Sequence, residues 1–366
     1  MSTLITTSRK LESIIAAGEQ DIWYKILFAQ KKVFHTPAES DNETKSVELL
    51  HKMGIHTIED SDHIVENLHS TPGYIDILNR HIMLLDIDSE TAELISKDYG
   101  VCCFSSYSTE IPYIAKRGRN IDTDDDRFEK SWRAPFNGFV KNSNSILIID
   151  RYLFNRQWNK GDGLPDETID DCKYNLESIL DNILPAEMLD NKLTISIVLS
   201  DEGCCNEEML DKGGNVVRDE RGHPKYSYYS FNDIVDMITE VKARVWRPYV
   251  YDIEVFGINK KCEHFSETHD RYVITNSLIT NATKKLVAYT PDERIHHRQL
   301  INVKYLYSEG LDGDSSLPEY TLNRVVNAMK KLITDSKPLE IKYAINGAVA
   351  QQFKTDMVKN NFLKIS

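Results

Sequence analysis

Short, continuous apolar runs separated by helix-length amphipathic stretches constrain this chain most. Residues 82–87, inside "RHIMLLDIDSETAELISKDYGVCCFSS", form one such run, apolar but for Asp86. Ser89 is placed to cap a helix through Lys97, Gly100 to end it, and "VCCFSS" to supply a second strand. Strand, helix and strand with short links describe a parallel pair covered by a helix. The pattern returns further on. "SILIIDRYLF" (145–154) and "KLTISIVLSD" (192–201) read as buried strands, with the helix "DETIDDCKYNLESILDNIL" between them. "SFNDIVDMITEVKARVW" is a helix with Ser230 as its cap. "YVYDIEVFGI" (249–258) alternates as a half-buried strand should. These runs predict an α/β fold.

Residues 8–34 carry Leu11, Ile14, Ile15, Ile22, Ile26 and Leu27 at helical spacing and predict one or two helices. Pro37 and the polar residues to Lys45 predict a loop, followed by a helix over 46–53. Further helices are expected near 292–304 and 321–334. A 366-residue chain accommodates about two domains. The reading is an N-terminal helical and small α/β unit over 1–120, an acidic polar linker or loop over 121–142, and a second α/β domain with a C-terminal extension over 143–366.

With 41% hydrophobic and 28% charged residues, the composition is that of a folded globular chain. No apolar run reaches the 18 or so residues of a membrane span. The N-terminal stretch reads as helix, not as a secretion signal. Six cysteines without an export signal suit a reducing cytoplasm. The net charge of −13 opposes nonspecific binding to nucleic acid or anionic membrane. "AKRGR" (115–119) and "VKARVWRP" (241–248) are the local basic runs, each read as a solvated face.

The candidate site lies in "HDRYVITN", residues 269–276. Side chains alternate along a strand, so His269 and Arg271 share a face at its mouth. An imidazole beside a forked cation suits a phosphodiester-sized anion. Asn276 falls on the other face of a regular strand. Two further readings stand beside this one: His269 and Arg271 tie the sheet end to Glu254 or Asp252, or the pair is catalytic.

This stretch resembles the motif of the phospholipase D-like superfamily, His-x-Lys, four residues, then Asp, on a strand of a mixed sheet. "ILIIDRYL" (146–153) fits the opening strand of such a fold, and the resemblance spans about 143–305. Arg271 stands where the family has Lys, and Asn276 where it has Asp. The resemblance implies a metal-free site with no cofactor, in which His269 is the nucleophile, Arg271 clamps the phosphate, and Asn276 and Asn281 assist. No second such frame occurs, so an active protein pairs two His269 in a homodimer. The two departures point instead to a degenerate pocket that binds phosphate without turnover. The leading expectation is therefore an accessory or binding protein in a larger complex, with nucleic acid or protein partners. The alternative is a dimeric, metal-independent phosphodiesterase or nuclease.

Other clusters carry less. Cys102-Cys103, Cys204-Cys205 and Cys262 lack zinc spacing and read as buried thiols. Asp86 and Asp88 read as strand-end and cap residues, the four Asp of 122–126 as a solvated loop, "GDGLPDE" (161–167) as a turn and "EGLDGDSSLPE" (309–319) as an incomplete calcium loop. His296-His297 reads as surface. There is no P-loop, dinucleotide glycine fingerprint or serine elbow.

Overall fold

Side-chain caps fix where the helices begin. Thr7, Ser40, Asp88, Thr168 and Ser230 each accept a hydrogen bond from the backbone N–H three residues on. Each thereby satisfies a donor that the first helical turn leaves open. Thr168 and Ser230 complete reciprocal capping boxes with Asp171 and Asp233. The computed structural model describes all residues except 1–2, 31, 63–80, 116–117, 140–142, 155–167, 188–189, 203–204, 221, 223, 260–261, 263–270, 297, 307–317, 336–339 and 365–366.

The N-terminal part runs β1 (Thr3–Ile5), α1 (Ser8–Ala17), α2 (Ile22–Phe28), β2 (Lys32–His35), α3 (Asp41–Lys52), β3 (His56–Glu59), β4 (His81–Leu85), α4 (Ser89–Tyr99) and β5 (Cys102–Ser105). Its strands form a five-stranded sheet of order β3-β2-β1-β4-β5, parallel throughout. The β4–α4–β5 unit follows the sequence reading. β1 and β2 are additions to it, and α3 starts at Asp41, inside the expected loop, because Ser40 caps it. β5 closes the sheet on one side. There the Ser96 hydroxyl of α4 accepts from the Cys103 N–H and donates to the Cys103 carbonyl.

The second part runs β6 (Arg119–Asp122), α5 (Arg133–Phe136), β7 (Ser145–Ile149), α6 (Ile169–Ile183), β8 (Leu193–Ser200), β9 (Cys205–Glu208), β10 (Tyr226–Tyr228), α7 (Phe231–Arg244), β11 (Tyr251–Ile258), β12 (Arg271–Thr275), β13 (Leu278–Ala282), β14 (Leu300–Tyr305), α8 (Pro318–Asp335), β15 (Ile341–Ile345) and β16 (Ala348–Val349). Nine of these strands build a mixed sheet of order β16-β15-β11-β8-β7-β12-β13-β14-β6, and β9 pairs with β10 apart from it. β7, β8 and β11 are parallel, and β12 runs antiparallel to β7. The fold is thus α/β, with one parallel and one mixed sheet.

Helices α6 and α7 cover one face of the mixed sheet, where Ile195, Ile197, Leu199, Val273 and Ala282 join Leu176, Ile179, Ile234 and Ile238. On the other face, Leu147, Ile149, Tyr272 and Ile274 share a cluster with Met329 and Leu332 of α8 and with Leu4, Val33 and Ile82 of the parallel sheet. A common apolar core therefore joins the two sheets. Among the described residues, no helix is long and apolar enough to cross a membrane.

Two expectations need correction and one needs detail. The segment 121–142, read as a linker or loop, also holds Ile121 in an edge strand and a fully buried Trp132. The Trp132 indole N–H donates to Asn175 Oδ1 and to the Leu286 carbonyl, anchoring the segment on α6. The helix expected near 292–304 is strand β14, whose burial alternates from Leu300 to Tyr305. β11 is buried along its whole length, not by half, because both faces of the sheet are covered.

Candidate functional site

Three parallel strands, β7, β8 and β11, end at one edge of the mixed sheet, the edge where α/β folds bind ligands. β12 starts at that edge because it runs the opposite way. Its register pairs Tyr272 with Ile149. One further step sets Arg271 beside Asp150, the residue after β7. Both continue the face covered by α6 and α7, to which Ile148 and Val273 belong.

Asp150 is fully buried. Its Oδ1 accepts from the Tyr152 N–H at 2.8 Å and its Oδ2 from the Leu286 N–H at 2.8 Å. Burial raises its pKa, against the pull of these two hydrogen bonds and of the Arg271 and Lys285 charges. Lys285 is itself only 3% exposed. It sits in a loop fixed by Gln299, whose Oε1 accepts from the Lys284 and Lys285 N–H groups and whose amide donates to the Lys285 carbonyl. The Tyr152 ring gathers two guanidinium groups, Arg271 at 5.5 Å and Arg151 at 5.7 Å from its centroid.

The Arg271 and Lys285 charges thus act on one carboxylate whose ionisation is opposed by burial, and Arg151 shares the Tyr152 ring with Arg271. Both oxygens of Asp150 are engaged by backbone donors, so it serves as an orienting group at this edge. The edge suits an anion held by a forked donor.

His269 lies outside the described residues, so the described site rests on Arg271. Arg271, Asn276 and Asn281 do not meet. Asn276 follows the far end of β12 and is buried. Its Oδ1 accepts from the Asn144 and Ser145 N–H groups, fixing the start of β7. A Cβ on Gly100 would stand 2.5 Å from Asn276 Cγ, so the residue also abuts the end of α4. Asn281 pairs with Tyr272 and Asn302. It therefore belongs to the opposite face from Arg271, whose partner on β13 is Ala282. Neither Glu254 nor Asp252 reaches Arg271, because β8 and β7 stand between β11 and β12. Glu254 engages Ser196, Tyr343 and the Lys359 and Asn360 N–H groups, and Asp252 engages Lys192 and Asn346.

Asp150, Arg151, Tyr152 and Lys285 were not singled out from the sequence. The signal for the first three was present in "ILIIDRYL", read there only as a fold marker.

The remaining clusters have structural roles. Asp88 caps α4, and Asp86 accepts from the Ser106 hydroxyl. Arg127 binds Asp125 and holds its carboxyl down at about 2. Arg298 bridges Asp122 and Asp124. Cys102, Cys103, Cys172 and Cys262 are buried free thiols. The side chain of His296 is buried, not at the surface, with Nε2 3.2 Å from Asp171 Oδ2. In the run 241–248, Arg244 and Arg247 pair with Glu177 and Asp181. Among the described residues, no group of three or more His, Cys, Asp and Glu could hold a metal ion. Residues 116–117, 161–167, Cys204, His297 and most of 309–319 lie outside the described residues. No protein-family model matches the chain, and no curated protein matches its sequence.

Proposed function

We propose that this protein binds a phosphate-bearing ligand at the β7–β12 edge, without turning it over, as a degenerate phospholipase D-like module would. The observation that carries the reading is the pair of guanidinium groups, Arg151 and Arg271, at the Tyr152 ring, with Arg271 and the buried Lys285 also acting on Asp150. The Arg271 and Lys285 charges act on a hydrogen-bonded carboxylate in a chain whose net charge is −13. Long-range attraction is therefore weak, and affinity depends on these short-range contacts. Arg in the clamp position favours two-pronged holding of phosphate oxygens.

The test is fluorescence anisotropy with a labelled single-stranded oligonucleotide, with inorganic phosphate as competitor. The wild-type protein binds, more weakly as salt rises, and Arg271→Ala combined with Arg151→Ala weakens it at least tenfold. Absence of binding at low salt refutes the reading. Cleavage that persists in EDTA and disappears in His269→Ala replaces it with the metal-independent, homodimeric nuclease alternative.

A further inference from the structure

One strand along the same edge, β8 ends at Ser200 and is followed by Asp201, which is 5% exposed. Asp201 Oδ2 meets Lys342 Nζ at 3.2 Å. That lysine reaches it across β11 because the intervening residue is Gly257, which pairs with both Leu199 and Lys342. The other oxygen, Oδ1, is buried, and among the described residues nothing donates to it. A buried carboxylate oxygen without a donor is uncommon, and leaving such a group unsatisfied costs about 1–3 kcal/mol.

Leu199 packs among the residues facing α6 and α7, so position 201 continues that face, the face of Asp150 and Arg271. β8 and β12 are separated by β7 alone, about 10 Å from strand to strand. Lys342 takes Oδ2, and Oδ1 is the oxygen that remains for a further donor. Ser200 Oγ also lacks a partner among the described residues, but strand alternation assigns it to the other face.

Resting on the phosphate reading above, we infer that Asp201 is a hydroxyl-reading subsite beside the Arg271 anion site, and that the ligand is a ribose phosphate, free or within an RNA chain. The ligand's phosphate lies against Arg271 and Arg151, and a sugar hydroxyl donates to Asp201 Oδ1. Phosphate contacts hold the ligand and the hydroxyl contact selects it.

Titration calorimetry with inorganic phosphate, methyl phosphate and ribose 5-phosphate tests this, alongside RNA and DNA oligonucleotides of one sequence. Ribose 5-phosphate or the RNA is expected to bind at least tenfold more tightly than methyl phosphate or the DNA, respectively. The first preference identifies a free sugar phosphate, the second a chain. Asp201→Asn erases the preference while inorganic phosphate binds as before, and Ser200→Ala preserves the preference. Equal affinity for ribose 5-phosphate and methyl phosphate, together with equal affinity for RNA and DNA, overturns the subsite and leaves the anion site standing. Failure of every phosphate probe overturns both. Should Asp201→Asn not fold, judged by circular dichroism, the wild-type comparisons alone decide.

Discussion

The Tyr343 hydroxyl donates to Glu254 Oε1 at 2.8 Å, inside a core where Glu254 is fully buried. Ser196 and the Lys359 and Asn360 N–H groups complete four donors on that carboxylate. Glu254 thereby ties β11 to β8, to β15 and to the C-terminal segment. Glu254→Gln turns one acceptor into a donor facing other donors and is expected to destabilise the fold by about 3 kcal/mol or more. Tyr343→Phe removes one donor of four and costs about 1 kcal/mol. Urea unfolding measures both, and equal effects would contradict the network.

The Phe231 ring fills the space above Gly257, where an added Cβ would stand 2.4 Å from Phe231 Cδ2. Gly257→Ala is expected to destabilise by about 1–3 kcal/mol through this overlap. Gly257→Ala combined with Phe231→Leu should recover part of the loss in thermal melts.

Arg271 is the counter-charge of a carboxylate whose pKa burial already raises. For such a group the cost of ionisation is present above its folded pKa and relieved below it. Arg271→Ala is therefore expected to lower stability by about 1–3 kcal/mol at pH 7, and by less once acidification protonates Asp150. A loss of equal size at both pH values would show that the charge on Asp150 is not what Arg271 serves.

Asp252 titrates the other way. Burial opposes its ionisation, but Lys192 and Asn346 outweigh that and hold its carboxyl below its ordinary 3.8. Its stabilising contribution is complete above 3.8 and fades as pH falls through the lower folded value. The acid limb of a stability curve should accordingly flatten in Asp252→Asn.

Burial pushes the Cys102 and Cys103 thiols up to about 12. Iodoacetamide at pH 8 should leave both unlabelled in the native protein and modify both in denaturant, as read by peptide mass mapping. Rapid native labelling would mean that β5 opens.

How much of this was legible in advance depends on the length and spacing of each signal. β4 and β7 are continuous apolar runs over Ile82–Leu85 and Ile146–Ile149, whereas β8 interrupts its apolar residues with the buried Thr194 and Ser196. β1 and β2 have three and four residues, too few for periodicity to separate them from the helices beside them. β14 did carry a strand signal in the alternation of Ile301, Val303 and Tyr305, but the helix expected over 292–304 was drawn across it. Trp132 hid in an acidic neighbourhood because its partners, Asn175 and Leu286, lie 43 and 154 residues away. For the same reason Arg271 was visible and Asp150 was not: strand pairing joins residues that no local pattern connects.

One hydroxyl on α4 occupies both backbone groups of Cys103 on the outermost strand of the parallel sheet. A stray strand from another chain arriving at that residue finds its two backbone contacts already spoken for. Ser96 thus blunts the β5 edge of the sheet at Cys103.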